Sequence, residues 1–297
     1  MKRLGIACFA LLAGCGEELK PFTVVDRLRI AAVANTPVQP APGQIFEATM
    51  LTLRAPGDDT PLTVLGSGCV SQTGGLACGP DDPELAFAAL PVSEVELDGD
   101  QPTGAREDRW QFLWPEGAVG IGLINFVAVN CALPDQVDTT KLAEDLEVLT
   151  ETGEVPAPEG WVCAEDPLRL SRSVWLARHL ITPKLGPGPI VHQAHLHPPL
   201  MTRTVDQAEL DPGLIRTAVE APMIGVPSPD EPRWFWFSTS PRGVVMRVTA
   251  AEKGANTALV EAERAADYSY WAVMRDEKGR VAWSTLRLRT EDVIEAP

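Results

Sequence analysis

The chain has 297 residues, 45% of them apolar and 22% charged, with 24 glycines and 27 prolines. That is globular composition for about two domains, rich in turns yet below the roughly 25–30% of Gly plus Pro that marks low complexity. A net charge of −16 speaks against a nucleic-acid partner, because phosphate binding needs an excess of Lys and Arg, and beyond residue 15 no apolar run approaches the roughly 18 residues of a membrane-spanning helix.

The chain opens with the basic Met1-Lys2-Arg3, an apolar stretch from Leu4 to Leu12, and then Ala13-Gly14-Cys15. A basic start, a short apolar core and small residues before a cut describe a secretory signal peptide, here residues 1–14, too short to cross a bilayer. Leu12-Ala13-Gly14-Cys15 resembles the lipobox of bacterial lipoproteins. The resemblance implies that the Cys15 sulfur carries a diacylglyceryl group, that the chain is cut before Cys15, and that the new amine is acylated. Three acyl chains, at about 0.8 kcal/mol per buried CH₂, exceed the two signals that stable anchoring takes. The implied partner is thus a membrane, reached through the lipid, with residues 15–23 as a tether. By resemblance to enterobacterial lipoprotein sorting, Gly16 in place of Asp after the cysteine implies the outer membrane, facing the periplasm or the cell surface.

Residues 24–182 are expected to form a first β domain. Val24 to Val33 reads as a strand, and Pro37 to Gly43, with three prolines, as a turn. Ile45 to Leu53 is a second strand of good β-formers, closed by Ala55-Pro56-Gly57-Asp58-Asp59. Residues 67–109 show little periodicity. Nine acids stand between 81 and 108 against Arg106 alone, and the segment is expected to be a long loop region with one short strand or turn. Val119 to Val129 is apolar, interrupted by glycines that disfavour a helix, and reads as a strand ending at Cys131. In Thr139 to Leu149 the spacing of Leu142, Leu146 and Leu149 at i, i+4, i+7 predicts a helix, capped by Thr139 or Thr140. Leu168 to Ile181 then returns as a neighbour of 119–130, so that 131–163 is an insert.

With Cys8 in the leader and Cys15 lipidated, Cys69, Cys78, Cys131 and Cys163 form an even set in an oxidising compartment. Three pairings are possible. Proximity along the chain favours Cys69–Cys78 and Cys131–Cys163, the second stapling the insert at its base. A zinc site is disfavoured because no C-x₂-C pair exists.

Pro183 to Pro189 opens a linker, taken as 183–190, after which the composition changes. Residues 16–200 hold 11 basic and 26 acidic groups, and residues 201–297 hold 12 and 15. Residues 191–292 are expected to be the second β domain. Its strands are the aromatic Arg233 to Phe237, then Gly243 to Ala250, Thr257 to Glu261, Tyr268 to Met274, and Val281 to Arg289, the last two joined through a turn at Asp276 to Gly279. The Trp strand (Trp234, Trp236), Asp267-Tyr268-x-Tyr270 and Arg275-Asp276-x-x-Gly279 resemble an immunoglobulin-like or PKD-like module of bacterial envelope proteins. The Asp–Tyr pair is similar to a tyrosine corner. Together with the lipobox, the Asp26-Arg27-Leu28-Arg29-Ile30 strand and the Pro-Gly turn, these features resemble envelope lipoproteins of the myxobacterial type. A four-residue match, Pro42-Gly43-Gln44-Ile45 and Pro212-Gly213-Leu214-Ile215, suggests an internal repeat.

The chemistry-bearing candidates are few. His192, His195 and His197 form the one cluster of histidines. On a strand His195 and His197 share a face, and with a third ligand they would suit Zn²⁺ or Cu²⁺. This is the alternative of a metal-binding protein or metal-dependent envelope enzyme; the favoured expectation is a surface cluster with no metal and no cofactor. Asp58-Asp59, Asp81-Asp82 and Asp98-Gly99-Asp100 lack a twelve-residue calcium loop and read as solvated acidic surface. Trp234 and Trp236 on one strand face are candidates for stacking on a glycan or a protein. There is no G-x-S-x-G, P-loop or dinucleotide glycine pattern. The expectation is a mainly β chain of two immunoglobulin-like sandwich modules, the first carrying the insert and its helix. It would be a lipid-anchored envelope protein without catalysis, binding a protein or a glycan.

Overall fold

The computed structural model describes residues 25, 27–55, 57–98, 101–131, 137–152, 174–181, 190–191, 195–196, 214–224, 233–238, 243–249, 255–263, 267–275 and 280–289. The chain is mainly β, with open antiparallel sheets and one helix among these residues. Strands β1 (Arg29–Thr36), β2 (Ile45–Leu53), β5 (Gln101–Leu113) and β4 (Ala86–Asp98) make one sheet in the order β1-β2-β5-β4. β3 (Leu62–Ser71), β6 (Ile121–Asn130) and β7 (Val174–Ile181) make a second, β3-β6-β7. The two sheets enclose a core of Phe46, Met50, Trp110 and Phe112 on one side and Val70, Ile124, Phe126 and Ile181 on the other. Phe46 stacks on Phe112 at 5.7 Å, and Trp110 meets Phe126 across the core at 5.6 Å. Each such buried ring contributes about 1.5–3 kcal/mol over its exposed state.

The rest of the chain repeats this plan. β8 (Ile190–Val191), β9 (His195–Leu196), β10 (Leu214–Ile224), β13 (Ala255–Glu263) and β12 (Gly243–Thr249) make a sheet in which β8 and β9 both pair with β10, followed by β13 and β12. β11 (Arg233–Ser238), β14 (Asp267–Arg275) and β15 (Val281–Arg289) make the last, β11-β14-β15. Lettered in chain order, with β8 and β9 as one broken first strand, both pairs of sheets have the order A-B-E-D against C-F-G.

Burial patterns record what covers each strand. β2 alternates from Ile45 to Met50 and is then buried without a break through Leu53. The switch marks where the second pair of sheets arrives: Ala32, Leu51, Leu53 and Ala105 pack on Trp271, Val273 and Val281. The Trp283 indole N–H donates to Glu107 at 2.9 Å, and the Val25 N–H donates to the Ser238 carbonyl at 2.7 Å, across the same junction. In β14, Tyr270 to Met274 are all buried, as expected of a strand covered on both faces.

β6 is buried from Gly122 to Val129 for a similar reason. One face lines the core; over the other lies the helix α1 (Thr139–Thr152), whose Leu142 and Leu146 pack on Val127, Val129 and Cys131. Gly122 leaves room for an aromatic ring: a Cβ there would stand 2.8 Å from the Trp114 side chain. The cap of α1 is Asp138, one residue before the expected threonines. Its carboxylate accepts from the N–H groups of Thr140 and Lys141, each at 3.0 Å, and its carbonyl accepts the Leu142 N–H.

β6 and β7 pair as expected, and β14 and β15 are neighbours along their full length. Cys69–Cys78 is a disulfide. Cys131 is also disulfide-bonded; Cys163, its expected partner, lies outside the described residues, as does the turn at 276–279.

The expectation for residues 67–109 is corrected. In place of a long loop region, the segment holds the second half of β3, all of β4 and most of β5. The acids are tolerated because the few cations are placed among them. Glu94 stands opposite Glu107 in the register, and Arg109 reaches both, at 2.8 and 3.8 Å. The buried Asp108 takes two bonds from Arg106, at 2.6 and 2.9 Å, and one from Ser93. Like charges opposed across strands are destabilising when nothing compensates them. The first strand is also shorter than expected, starting at Arg29, although Val25 and Leu28 are buried before it.

Candidate interaction surface

β4 is the end strand of its sheet, and among the described residues only β5 pairs with it along its length. A half-buried edge strand should alternate, yet all ten residues from Ala86 to Val95 are exposed. They include Phe87 at 50%, Leu90 at 88% and Val92 at 57%. Phe87 leans on the core rim, its ring 5.1 Å from Phe112 and 5.7 Å from Trp110. Three register shifts interrupt the pairing with β5, and Pro91 has no N–H to offer. Bulges and proline are devices by which proteins keep an open edge from pairing at random.

A groove of about 320 Å³ lies at one end of the first pair of sheets, between the turn after β1 and the turn after β5. Pro40, Pro42, Trp114, Val119 and Ile181 line it, with Gln39 as a polar neighbour. Its lining carries no charged side chain.

Two polar clusters serve the fold. Arg54 donates to Asn130 at 2.9 Å and to the Thr60 carbonyl, and Asn130 donates to Asp58 at 2.9 Å. Burial alone would raise the Asp58 carboxyl, but hydrogen bonds from Thr60 and Asn130 and the nearby Arg54 outweigh it and hold the group below the usual range. Under α1, Asn125 donates to Thr150 at 3.0 Å and accepts from Arg178 at 2.7 Å, while the Ser67 and Thr150 hydroxyls meet at 3.0 Å. Ser67 therefore belongs to the helix-to-sheet packing.

His179 is buried on β7, its Nε2 2.8 Å from the Asn35 Oδ1. The Asn35 amide nitrogen already donates to the carbonyls of Pro37 and Val38, so Oδ1 is the acceptor and Nε2 carries the proton. Burial, with Arg275 adding to it, lowers the His179 pKa from 6.5 to about 4. This neutral imidazole pins the turn after β1; sequence reasoning had no signal for it, because only the fold brings residues 35 and 179 together.

Trp236 is a correction. It is buried, and its indole N–H donates to Asn256 at 2.8 Å across the second core, so it offers no face to a ligand. Trp234, on the same strand face, is half-buried, and its indole nitrogen is buried without a hydrogen-bond partner among the described residues. On the opposite face Phe237 packs into the junction between the two pairs of sheets, and Phe235 is partly exposed. His195 stands in β9 opposite Glu220 of β10. His192, His197, Cys163 and Cys15 lie outside the described residues. Among the described residues no three His, Cys, Asp or Glu side chains gather to hold a metal, and no helix is long and apolar enough to cross a membrane.

No protein-family model and no curated protein matches the chain. Among solved structures it is similar, at a TM-score of 0.19 and 8% identity, to InvD of Yersinia pseudotuberculosis, over 86% of this chain and 56% of that one. The chain thus spans a little over half the length of InvD. It is similar to a marsupial T cell receptor at a TM-score of 0.19 and 9% identity, over 90% of this chain and 99% of that one.

Proposed function

We propose that the chain is a lipid-anchored protein of the bacterial cell envelope that acts by binding another protein rather than by catalysis. Both pairs of sheets serve as immunoglobulin-like modules, a reading supported by their common strand order. The anchor rests on the lipobox resemblance of Leu12 to Cys15, and a disulfide at Cys69–Cys78 fits an oxidising compartment. The observation that carries the binding role is the exposed run Ala86 to Val95 with its large apolar side chains. A protein partner is favoured over a glycan because Trp236, the expected stacking platform, lies in the core.

Expression of the full chain in a bacterial host tests the anchor. Cys15→Ser should move the protein from the membrane to the soluble fraction, and the native amino terminus should carry acyl mass on Cys15. Unchanged membrane retention of the variant would overturn this address.

A further inference from the structure

We propose that the outer edge of β4 is a strand-addition site for an extended, basic segment of a partner protein. This deepens the binding role above and rests on it. Strand addition needs a free edge with side chains that gain from cover. β4 offers about 40 Å of edge, from 13 residues at about 3.3 Å each. The second pair of sheets covers the outer face of the same sheet at Leu51, Leu53 and Ala105 and leaves the Ala86–Val95 run exposed. Leu90, at 88% exposure, makes almost none of the contacts that a folded leucine ordinarily makes. An added strand would cover Leu90 and Val92 and pair the open backbone.

Charge selects the occupant. Residues 81–108 hold nine acids and a single basic residue, Arg106. That arginine is held by Asp108, and the next, Arg109, is held by Glu94 and Glu107. No free cation therefore remains in the β4–β5 register between Val92 and Arg109 to neutralise an incoming acidic strand. A second copy carries the same net charge of −16 and is repelled on approach, whereas a basic segment is drawn in. Pro91 and the register shifts oppose indiscriminate pairing, so the edge favours a segment that matches its spacing.

The test uses the full acylated chain in detergent and a fluorescein-labelled ten-residue peptide of alternating Lys and Val, with an alternating Glu and Val peptide as control. At low salt the Lys peptide should bind and the Glu peptide should not, and affinity should fall at least tenfold at roughly half-molar salt. The double variant Leu90→Ser, Val92→Ser should weaken binding at least tenfold with little change in melting temperature, since both side chains are exposed. Val119→Ser, in the groove at the end of the sandwich, should leave binding unchanged. The proposal is overturned if the Lys peptide does not bind, if the Glu peptide binds as well, or if the β4 variant binds like the native chain. A dimer dissolved by the β4 variant would overturn it in favour of a second copy. A photo-crosslinking residue placed at Leu90 or at Val119 in living cells separates the two levels. Protein crosslinks from Val119 alone sink the β4 site and leave the binding role standing; none from either position sinks both; crosslinks from Leu90 support both.

Discussion

His179 shows what one buried side chain does to the pH response of this protein. Its imidazole is neutral in the folded chain, with a pKa lowered from 6.5 to about 4. Below pH 6.5 the unfolded chain takes up a proton that the folded chain refuses. The stabilisation is therefore complete above pH 6.5, is lost as the pH falls, and is gone below about pH 4. A shift of that size corresponds to roughly 3 kcal/mol. Thermal unfolding followed between pH 7 and 4 should show that loss, and His179→Gln, which keeps a donor for Asn35 without titrating, should flatten the profile in this window. A His179 ring that titrates near 6.5 by NMR would refute the account. Trp236 makes the same point about burial: its indole and Asn256 satisfy one another across a core, a pairing of positions 20 residues apart that spacing does not announce.

Among the elements, α1 is legible in the sequence and β4 is not, for a physical reason. The helix was legible because one face packs on a sheet, so Leu142 and Leu146 recur at the helical period. Only its cap was displaced, to Asp138. Asp138→Ala should lower stability by about 1 kcal/mol in denaturant unfolding, while Asp138→Asn should keep most of it; equal stability of the Ala variant would show that something else satisfies the first turn. β4 is not legible, because a strand held by backbone hydrogen bonds to a single neighbour, with every residue from Ala86 to Val95 exposed, leaves no alternation to detect. β6 was legible for the contrary reason. Covered by the core on one face and by α1 on the other, it has a nearly continuous apolar sequence.

At the scale of the whole molecule, the inner sheets of the two pairs lie against each other instead of hanging as separate beads. Leu53 belongs to one pair and Trp271 to the other, and both are completely buried in the shared cluster. The two pairs should therefore unfold in one cooperative transition. Leu53→Ala, which removes about 2–5 kcal/mol of core packing, should lower the melting of the whole chain in calorimetry. Two separate transitions, with only the first displaced, would show that the pairs unfold independently. The weak repeat at Pro42 and Pro212 fits this plan, for it precedes β2 and β10, the second strand of each pair.

Composition and local pattern by themselves determined the mainly β class, the β2 segment, the β6–β7 and β14–β15 pairings, the helix and the Cys69–Cys78 bridge. Each leaves a trace in neighbouring residues: turn residues at strand ends, apolar runs, a leucine period, two close cysteines. The stacking of the two pairs, the fate of Trp236, the neutral His179 and the open edge of β4 were decided only in the tertiary structure. Those properties depend on what lies across a core or beyond a sheet edge, and the residues that meet there are brought together by hydrogen bonds of the main chain, which every amino acid can accept and every one but proline can donate.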